Sequence, residues 1–153
     1  MESLHARVQV LWIGQRLVLA TILAGLAWFL GRFFDPLGPA VAAGVWLVVA
    51  VLGIAHAVLR YRRWRFELQD DSVYLIRGVV TQVDTSVPYV RVQHADTQRG
   101  PLERAVGLAS VVVYTAGSRG ADITVPGLRP ERATELRERL RDLAVESEAA
   151  DAV

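Results

Sequence analysis

The chain has 153 residues, of which 52% are hydrophobic, and it carries a net charge of +1 and no cysteine. The near-neutral charge argues against a nucleic-acid-binding protein, which needs a basic surface. The lack of cysteine excludes disulfides, thiolate nucleophiles and cysteine-based zinc sites. The length suits one ordinary domain, or a membrane hairpin with a small domain, and the concentration of apolar residues before Leu59 favours the second arrangement.

Two apolar stretches in the first half predict a pair of transmembrane helices. The first covers about residues 11–34 and has no charge between Leu17 and Leu30. The second covers about residues 37–59 and is uncharged throughout. A helix needs about 20 apolar residues to cross a bilayer, and the glycines and prolines of residues 31–39 predict a tight turn that makes the helices antiparallel. A buried hairpin in a soluble protein is disfavoured, because the second stretch has no polar stripe.

Arginines flank this hairpin unequally and predict its orientation. Arg7 and Arg16 lie at its start, the turn has only Arg32, and four arginines follow the second helix. By the positive-inside rule we expect both termini in the cytoplasm, which makes the chain a multi-pass protein of the cytoplasmic membrane. The residues expected at the membrane interface are Arg60, Arg62, Arg63, Trp64 and Arg65. These arginines either gain about 1 kcal/mol each from anionic lipid or set the topology alone.

Two further patterns in the first half concern the contacts of the helices. The N-terminal apolar residues near helical spacing are Leu4, Val8, Leu11 and Trp12. They are consistent with a short interfacial helix or with the frayed start of the first span. Small residues recur at four-residue spacing as Ala20 and Ala24 in one span and Ala40 and Gly44 in the other, which predicts close helix contact at these positions.

The chain from residue 63 to residue 145 predicts a small β domain. Alternating and β-branched runs predict strands at residues 64–69, 73–77, 79–87, 89–94, 109–116 and 122–125. Turns are expected at Asp70–Ser72 and at the hairpin loop Gly117–Gly120, and a short helical turn at Leu102–Val106. Pro130 suits the first turn of a final helix, and the apolar stripe of that helix is Ala133, Leu136, Leu140 and Leu143. We expect residues 146–153 to be a disordered tail.

This order of elements predicts an α+β membrane protein. Residues 1–62 form an N-terminal segment and a two-helix transmembrane hairpin. An antiparallel β-barrel or sandwich follows, with one C-terminal helix that covers its open end.

Three motifs in the β domain resemble those of a known family. The first is Val-Pro-Tyr-Val-Arg-Val-Gln-His at residues 87–94, the second is Arg-Gly-Pro-Leu-Glu-Arg at residues 99–104, and the third is Gly107-Leu108. In sequence and in order after two membrane helices, they resemble the bacterial pleckstrin-homology-like domains of the YdbS type (DUF304, bPH2). The resemblance implies a pleckstrin-homology-like (PH-like) fold and no established activity. One departure is that residues 79–87 lack the basic residues of many relatives, which argues against phosphate binding by that hairpin.

The polar members of these motifs are the candidate site residues, Arg91, His94, Arg99 and Arg104. They suit an anionic ligand, such as a lipid phosphate or an acidic peptide, or a protein partner, but structural roles in turns and on strand faces are the favoured interpretation. No serine lies in a Gly-x-Ser-x-Gly elbow, and the three histidines lie in three different regions. We therefore expect no catalytic site, no metal site and no cofactor.

These observations together favour an integral membrane protein that presents a cytoplasmic PH-like domain as a protein-interaction or scaffolding module. The expected partners are the lipid bilayer and either another protein or a second copy of the chain, and not nucleic acid. One alternative is a subunit of a membrane transport or envelope-stress complex. It is disfavoured because neither span carries an acidic residue of the kind that transport pathways need. The other alternative is a domain that binds anionic lipid headgroups.

Overall fold

The computed structural model describes residues 1–34, 38–116 and 122–151, and it forms two compact units. We call Met1–Val8 with Arg63–Val153 the folded unit, and Gln9–Arg62 the helical unit. Residues 35–37 of the expected turn and the expected hairpin loop at 117–120 lie outside the described residues. The elements in chain order are β1 (Glu2–Ser3), α1 (Ala6–Phe34), α2 (Gly38–Arg63), β2 (Arg65–Leu68), β3 (Ser72–Arg77), β4 (Val83–Pro88), a 3-10 turn (Tyr89–Arg91), β5 (Val92–Gln98), α3 (Pro101–Val106), β6 (Ala109–Thr115), β7 (Ile123–Leu128) and α4 (Pro130–Asp151).

The two predicted apolar helices are confirmed, and both are longer than expected. α1 begins at residue 6 rather than 11, and α2 ends at residue 63 rather than 59. Only 11% and 17% of their most apolar windows are buried. Helices in the core of a soluble protein bury most of their apolar surface, whereas these expose apolar side chains on most sides, as membrane-spanning helices do.

Small residues line the contact between α1 and α2. Ala20 is fully buried, and a Cβ at Gly53 would lie 2.8 Å from the Cβ of Arg16. Trp46 Nε1 donates a hydrogen bond of 3.2 Å to Thr21 Oγ1 and so links the two helices. The helices therefore approach closely enough for backbone and small side chains to touch.

The prediction for the contact face of α2 is wrong. Ala40 and Gly44 are exposed, and a Cβ at Gly44 would meet open space. The buried residues of α2 are Gly38, Ala42, Ala50 and Ala57. The reason is that a large side chain of α1 determines which face of α2 it meets. Arg16 packs beside Gly53, so the face of α2 that contains Gly44 points away from α1.

The folded unit contains two antiparallel sheets, in the orders β1-β2-β3-β4 and β5-β6-β7. The sheets are open, so the sandwich is the member of the predicted pair that forms. Buried side chains from both sheets, such as Phe66, Leu75 and Val111, form the core. α4 adds Ala133, Leu136 and Leu140, the last two each 1% exposed, which confirms the predicted apolar stripe except at Leu143, which is only half-buried.

α4 is longer than the sequence analysis predicts. The helix continues to Asp151, through most of the expected disordered tail at 146–153. No glycine or proline follows Pro130, and alanine and glutamate favour the helical state. The composition that suggested disorder therefore suits the continuation of a helix.

Two strand boundaries differ from the prediction because of local turn geometry. Gly78 has a φ of +103°, and a Cβ there would lie 1.9 Å from the carbonyl oxygen of Thr81. The chain therefore turns after β3, and the strand expected at 79–87 begins at Val83. Tyr89 begins a 3-10 turn instead of a strand, because its backbone N–H donates to Asp71 and its hydroxyl donates to the carbonyl of Gln69 at 2.8 Å.

The N-terminal residues belong to the folded unit. β1 pairs with β2, with Glu2 opposite Phe66. Leu4 is 2% and Val8 3% exposed, so neither is available to lipid. This corrects both sequence interpretations of this segment, an interfacial helix and a frayed span: the four-residue spacing of Leu4 and Val8 comes from packing into the core.

Polar contacts hold the same segment in place. The N–H of His5 donates to the carbonyl of Gly127 at 2.9 Å. Arg132 on α4 pairs with both carboxylate oxygens of Glu2, and the N-terminal ammonium group lies 3.0 Å from Glu67. The chain thus leaves the folded unit after Val8 and returns to it at Arg63, which makes the helical pair an insertion in its sequence.

Replacing Gly127 with alanine should destabilise the folded unit. Gly127 has a φ of +65°, and a Cβ there would lie 2.6 Å from the Cβ of Val8. We expect the free energy of unfolding to fall by about 2–4 kcal/mol in urea titrations of the purified full chain in detergent. Gly100→Ala is the control, since its Cβ would meet only Glu103 Oε2 at 3.6 Å, and it should cost less than about 1 kcal/mol. Equal losses would contradict the packing of Val8 on Gly127.

The N-terminal segment should also make stability depend on pH. The pKa of His5 is below its ordinary value of 6.5, because burial and then the charges of Arg129 and Arg7 disfavour the imidazolium. The unfolded chain takes up this proton more readily, so the free energy of unfolding should fall as the pH drops below about 6.5. In the native chain, the backbone N–H of Arg7 donates to His5 Nδ1 at 3.2 Å. His5→Asn keeps an acceptor for this N–H but does not titrate, so it should reduce the loss of stability at low pH. Identical urea midpoints for both proteins at about pH 7.5 and about pH 5.5 would count against this role of His5.

Candidate functional site

The four candidate residues of the motifs do not share one site. Arg91 precedes β5 and Arg99 follows it, so their backbones are roughly 25 Å apart along the strand. His94 lies within β5, and Arg104 lies on α3. All four side chains are exposed. A single small anion bound by all four is therefore ruled out by the length of the strand.

Several other motif residues have structural roles. The N–H of Gly100 donates to Glu103 Oε2 at 2.8 Å, which caps the first turn of α3. Gly107 ends α3 with a φ of +68°, and Leu108 is buried. The Gly-Pro-Leu-Glu motif and the Gly107-Leu108 pair are thus explained by the start and the end of one short helix.

His94 packs on the neighbouring strand. Its ring stacks on that of Tyr114, with centroids 4.3 Å apart and an angle of 16° between the planes. The register of β5 on β6 shifts between Val92 and His94. Gln93 is therefore the extra residue of a bulge, and such bulges re-aim side chains at a sheet edge.

A groove of about 420 Å³ lies between β5 and α4, and we call it the β5–α4 groove. Its strand side is Val92–Ala95, and its helix side is Arg137, Glu138, Arg141, Ala144, Val145 and Glu148. β5 is an edge strand of its sheet, so the backbone groups on its outer side have no strand partner within the described part of the chain. The groove therefore combines a free strand edge with apolar and charged side chains of both signs.

Arg91 lies in a second, smaller cavity of about 240 Å³. Arg77 and Asp122 also line it, together with residues of β4. Asp122 places a carboxylate in the lining of the same cavity as the two arginines. Arg91 and His94 therefore line different cavities, since His94 lines the β5–α4 groove.

The five residues expected at the membrane interface divide between the two units. Arg60 and Arg62 end the helical unit, and the guanidinium carbon of Arg60 lies 4.2 Å from the centre of the Trp12 ring. In the folded unit, Arg63 donates to the carbonyl of Val79 at 2.7 Å, and Arg65 donates to that of Trp64 at 2.8 Å.

Trp64 is not placed as the sequence analysis expects. Its side chain is 3% exposed and packs edge-on against Phe66, with ring centroids 6.1 Å apart. It directly precedes β2, and the alternation of that strand turns Trp64 and Phe66 towards the core. A tryptophan after an apolar helix thus serves the folded unit here, not a lipid interface.

No group of three or more histidine or acidic side chains that could hold a metal ion is found in residues 1–34, 38–116 and 122–151. The sequence analysis missed the helix side of the β5–α4 groove. Ala144 and Val145 directly follow Leu143, the last residue of the predicted apolar stripe of α4, and this continuation of apolar residues was the available signal.

Two apolar helices, two open antiparallel sheets and a closing C-terminal helix define a membrane protein with a PH-like domain. Residues 8–144 match the family model of the Bacterial PH domain, and the chain belongs to this family. It is 32% identical over 105 residues to the UPF0699 transmembrane protein YdbS of Bacillus subtilis (strain 168). That match covers 68% of this chain and 64% of the relative. The resemblance seen in the motifs is thereby confirmed.

A solved structure is also similar to this chain. It is the crystal structure of a DUF1696 family protein with a pleckstrin-homology domain from Shewanella loihica PV-4. The sequences are 15% identical, the TM-score is 0.43, and the alignment covers 56% of this chain and 74% of the other.

Proposed function

We propose that this membrane protein presents its folded unit in the cytoplasm as a protein-interaction module. In this proposal the β5–α4 groove binds an extended segment of a partner protein. The observation that supports it is the position of an edge strand beside an open groove of about 420 Å³. A partner strand that adds to β5 would gain backbone hydrogen bonds, and the groove would select its side chains.

The lining of the groove suits a peptide better than a small apolar ligand. Val92, Ala95, Ala144 and Val145 supply an apolar floor, and Val145 is 60% exposed. Arg137 and Glu138 place charges of both signs at its rim. Mixed charge over an apolar floor favours a segment that alternates apolar and charged residues, as a strand does.

The cytoplasmic location rests on the arginines. More arginines lie near the outer ends of α1 and α2 than in the turn between them, where Arg32 lies, and such a bias favours a hairpin with both termini in the cytoplasm. A tether of this kind raises the effective concentration of the module at the membrane. Each groove can therefore bind its partner weakly and still be occupied.

A single cysteine at Val145 tests both parts of the proposal, because the chain has no other cysteine. The thiol should react with a membrane-impermeant maleimide in inverted membrane vesicles and not in intact cells. Labelled with a benzophenone maleimide, Val145→Cys should crosslink to a partner protein when native membranes are irradiated. Val83→Cys is the matched control, since Val83 is 41% exposed on β4, an edge strand of the other sheet, and should give no such adduct.

Filling the groove should abolish the crosslink. Arg141→Trp adds bulk to the groove lining from an exposed position of α4, whereas Leu136 and Leu140 are buried. We expect the adduct at position 145 to fall at least about tenfold, which corresponds to about 1.4 kcal/mol, with an unchanged urea midpoint. Adducts of equal yield at Val83 and Val145, or labelling in intact cells, would contradict the proposal.

A further inference from the structure

Two segments of the folded unit expose apolar side chains that the unit does not cover. The first is the turn at residues 78–82 between β3 and β4, in which Val80 is 94% exposed. The second is α3, which has no buried residue, and in which Leu102 is 56% exposed. Ala105 is exposed one turn further along the same helix. A soluble protein does not need a six-residue helix with an uncovered apolar face. Such a surface therefore indicates contact with a membrane or with another protein.

Each of these segments is bound by an arginine at a point where the chain passes between the folded unit and the helices. Arg63, the last residue of α2, donates to the carbonyl of Val79 at 2.7 Å. Arg7, in the first turn of α1, donates to the carbonyl of Val106 at 3.4 Å. Both contacts lie inside the folded unit. The two uncovered segments are thus within one side-chain length of the residues that lead into membrane-spanning helices.

The same end of the helical pair supplies both of these points. Within the helical unit, Arg60 near the end of α2 lies over the ring of Trp12 near the start of α1. Residues close to Arg7 and residues close to Arg63 therefore leave the bilayer on the same side. The surface of one leaflet is then within reach of both segments. A partner protein that bound only one segment would not explain why the other is also exposed.

The charges around α3 suit a lipid surface. Arg99 and Arg104 lie on either side of Leu102 in the sequence and are exposed. Glu103, the acidic residue between them, is used by the N–H of Gly100 at the start of α3. Exposed leucine and valine with flanking arginines match the interface of a bilayer, where apolar side chains enter and guanidinium groups meet phosphates.

We propose that the β3–β4 turn and α3 contact the lipid leaflet into which α1 and α2 lead. Val80 and Leu102 enter the interface, and Arg99 and Arg104 bind the phosphates of anionic headgroups. This surface is separate from the β5–α4 groove, so the proposal stands or falls independently of the peptide-binding function. It also gives Arg99 and Arg104 a role that differs from those of Arg91 and His94.

Spin labels on the full chain in lipid nanodiscs test this proposal. Because the chain has no cysteine, Val80→Cys, Leu102→Cys and the control Val145→Cys each carry one label. The discs contain phosphatidylcholine with about one quarter phosphatidylglycerol. Labels at positions 80 and 102 should collide more often with oxygen, which concentrates in lipid, than with a water-soluble nickel chelate. The label at 145 should show the opposite preference. Water-like accessibility at 80 and 102 would overturn the proposal.

Two further arms separate lipid from other occupants. If a second copy of the chain covered these segments, fully labelled samples would show spin–spin broadening that disappears on dilution with unlabelled chain, and this result would also overturn the proposal. In discs of phosphatidylcholine alone, or with Arg99→Gln and Arg104→Gln together, the label at 102 should shift towards water. A label at 102 that is insensitive to both changes would remove the phosphate-binding role of the two arginines.

Discussion

The packing of the N-terminal segment into the β sandwich is the constraint on which the rest of the structure depends. Val8 lies against Gly127 so closely that no side chain fits there, and the backbone of His5 bonds to the same residue. Leu4 and Val8 are buried, and Val8 packs against Gly127, which lies more than 100 positions later in the sequence. The first eight residues can therefore pack only after the chain that follows the second apolar helix has formed the core.

This constraint explains why the helical pair is tied at both ends. A domain that simply followed two membrane helices would be connected to them through one peptide segment, whereas here Arg7 and Arg63 both have partners in the folded unit. The two carbonyls that accept from them belong to the two segments that expose Val80 and Leu102. The two proposed interaction surfaces are therefore the β3–β4 turn with α3, for lipid, and the β5–α4 groove, for a partner strand.

The sequence was sufficient for features that repeat along the chain. The long apolar runs predicted α1 and α2, the stripe through Leu136 and Leu140 predicted the buried face of α4, and the motifs identified the family. It was not sufficient where a single contact decides the outcome. A two-residue strand such as Glu2–Ser3 has no periodicity to detect, and Leu4 and Val8 have a spacing that fits a helix as well as a core.

The candidate site shows the same limit. Arg91 and Arg99 belong to adjacent motifs, but seven extended residues separate them, and only the strand assignment reveals this distance. Trp64 looks like an interface residue beside four arginines, yet the alternation of β2 turns it inward. The face of α2 that meets α1 depends on the packing of Arg16 against Gly53. In each case the missing information is which element a residue packs against.

Hydrogen exchange of the full chain in nanodiscs tests most directly whether the N-terminal segment and the C-terminal sandwich form one folded unit. The amide of His5 donates to Gly127, and that of Val8 to His5. Both should exchange as slowly as the amides of β2 and β3, because their opening requires the whole unit to unfold. Gly127→Ala should accelerate the exchange of the His5 and Val8 amides more than that of the amides of β2 and β3. If residues 4–8 exchange at the rate of a frayed terminus while β2 and β3 remain protected, the segment is not part of the unit.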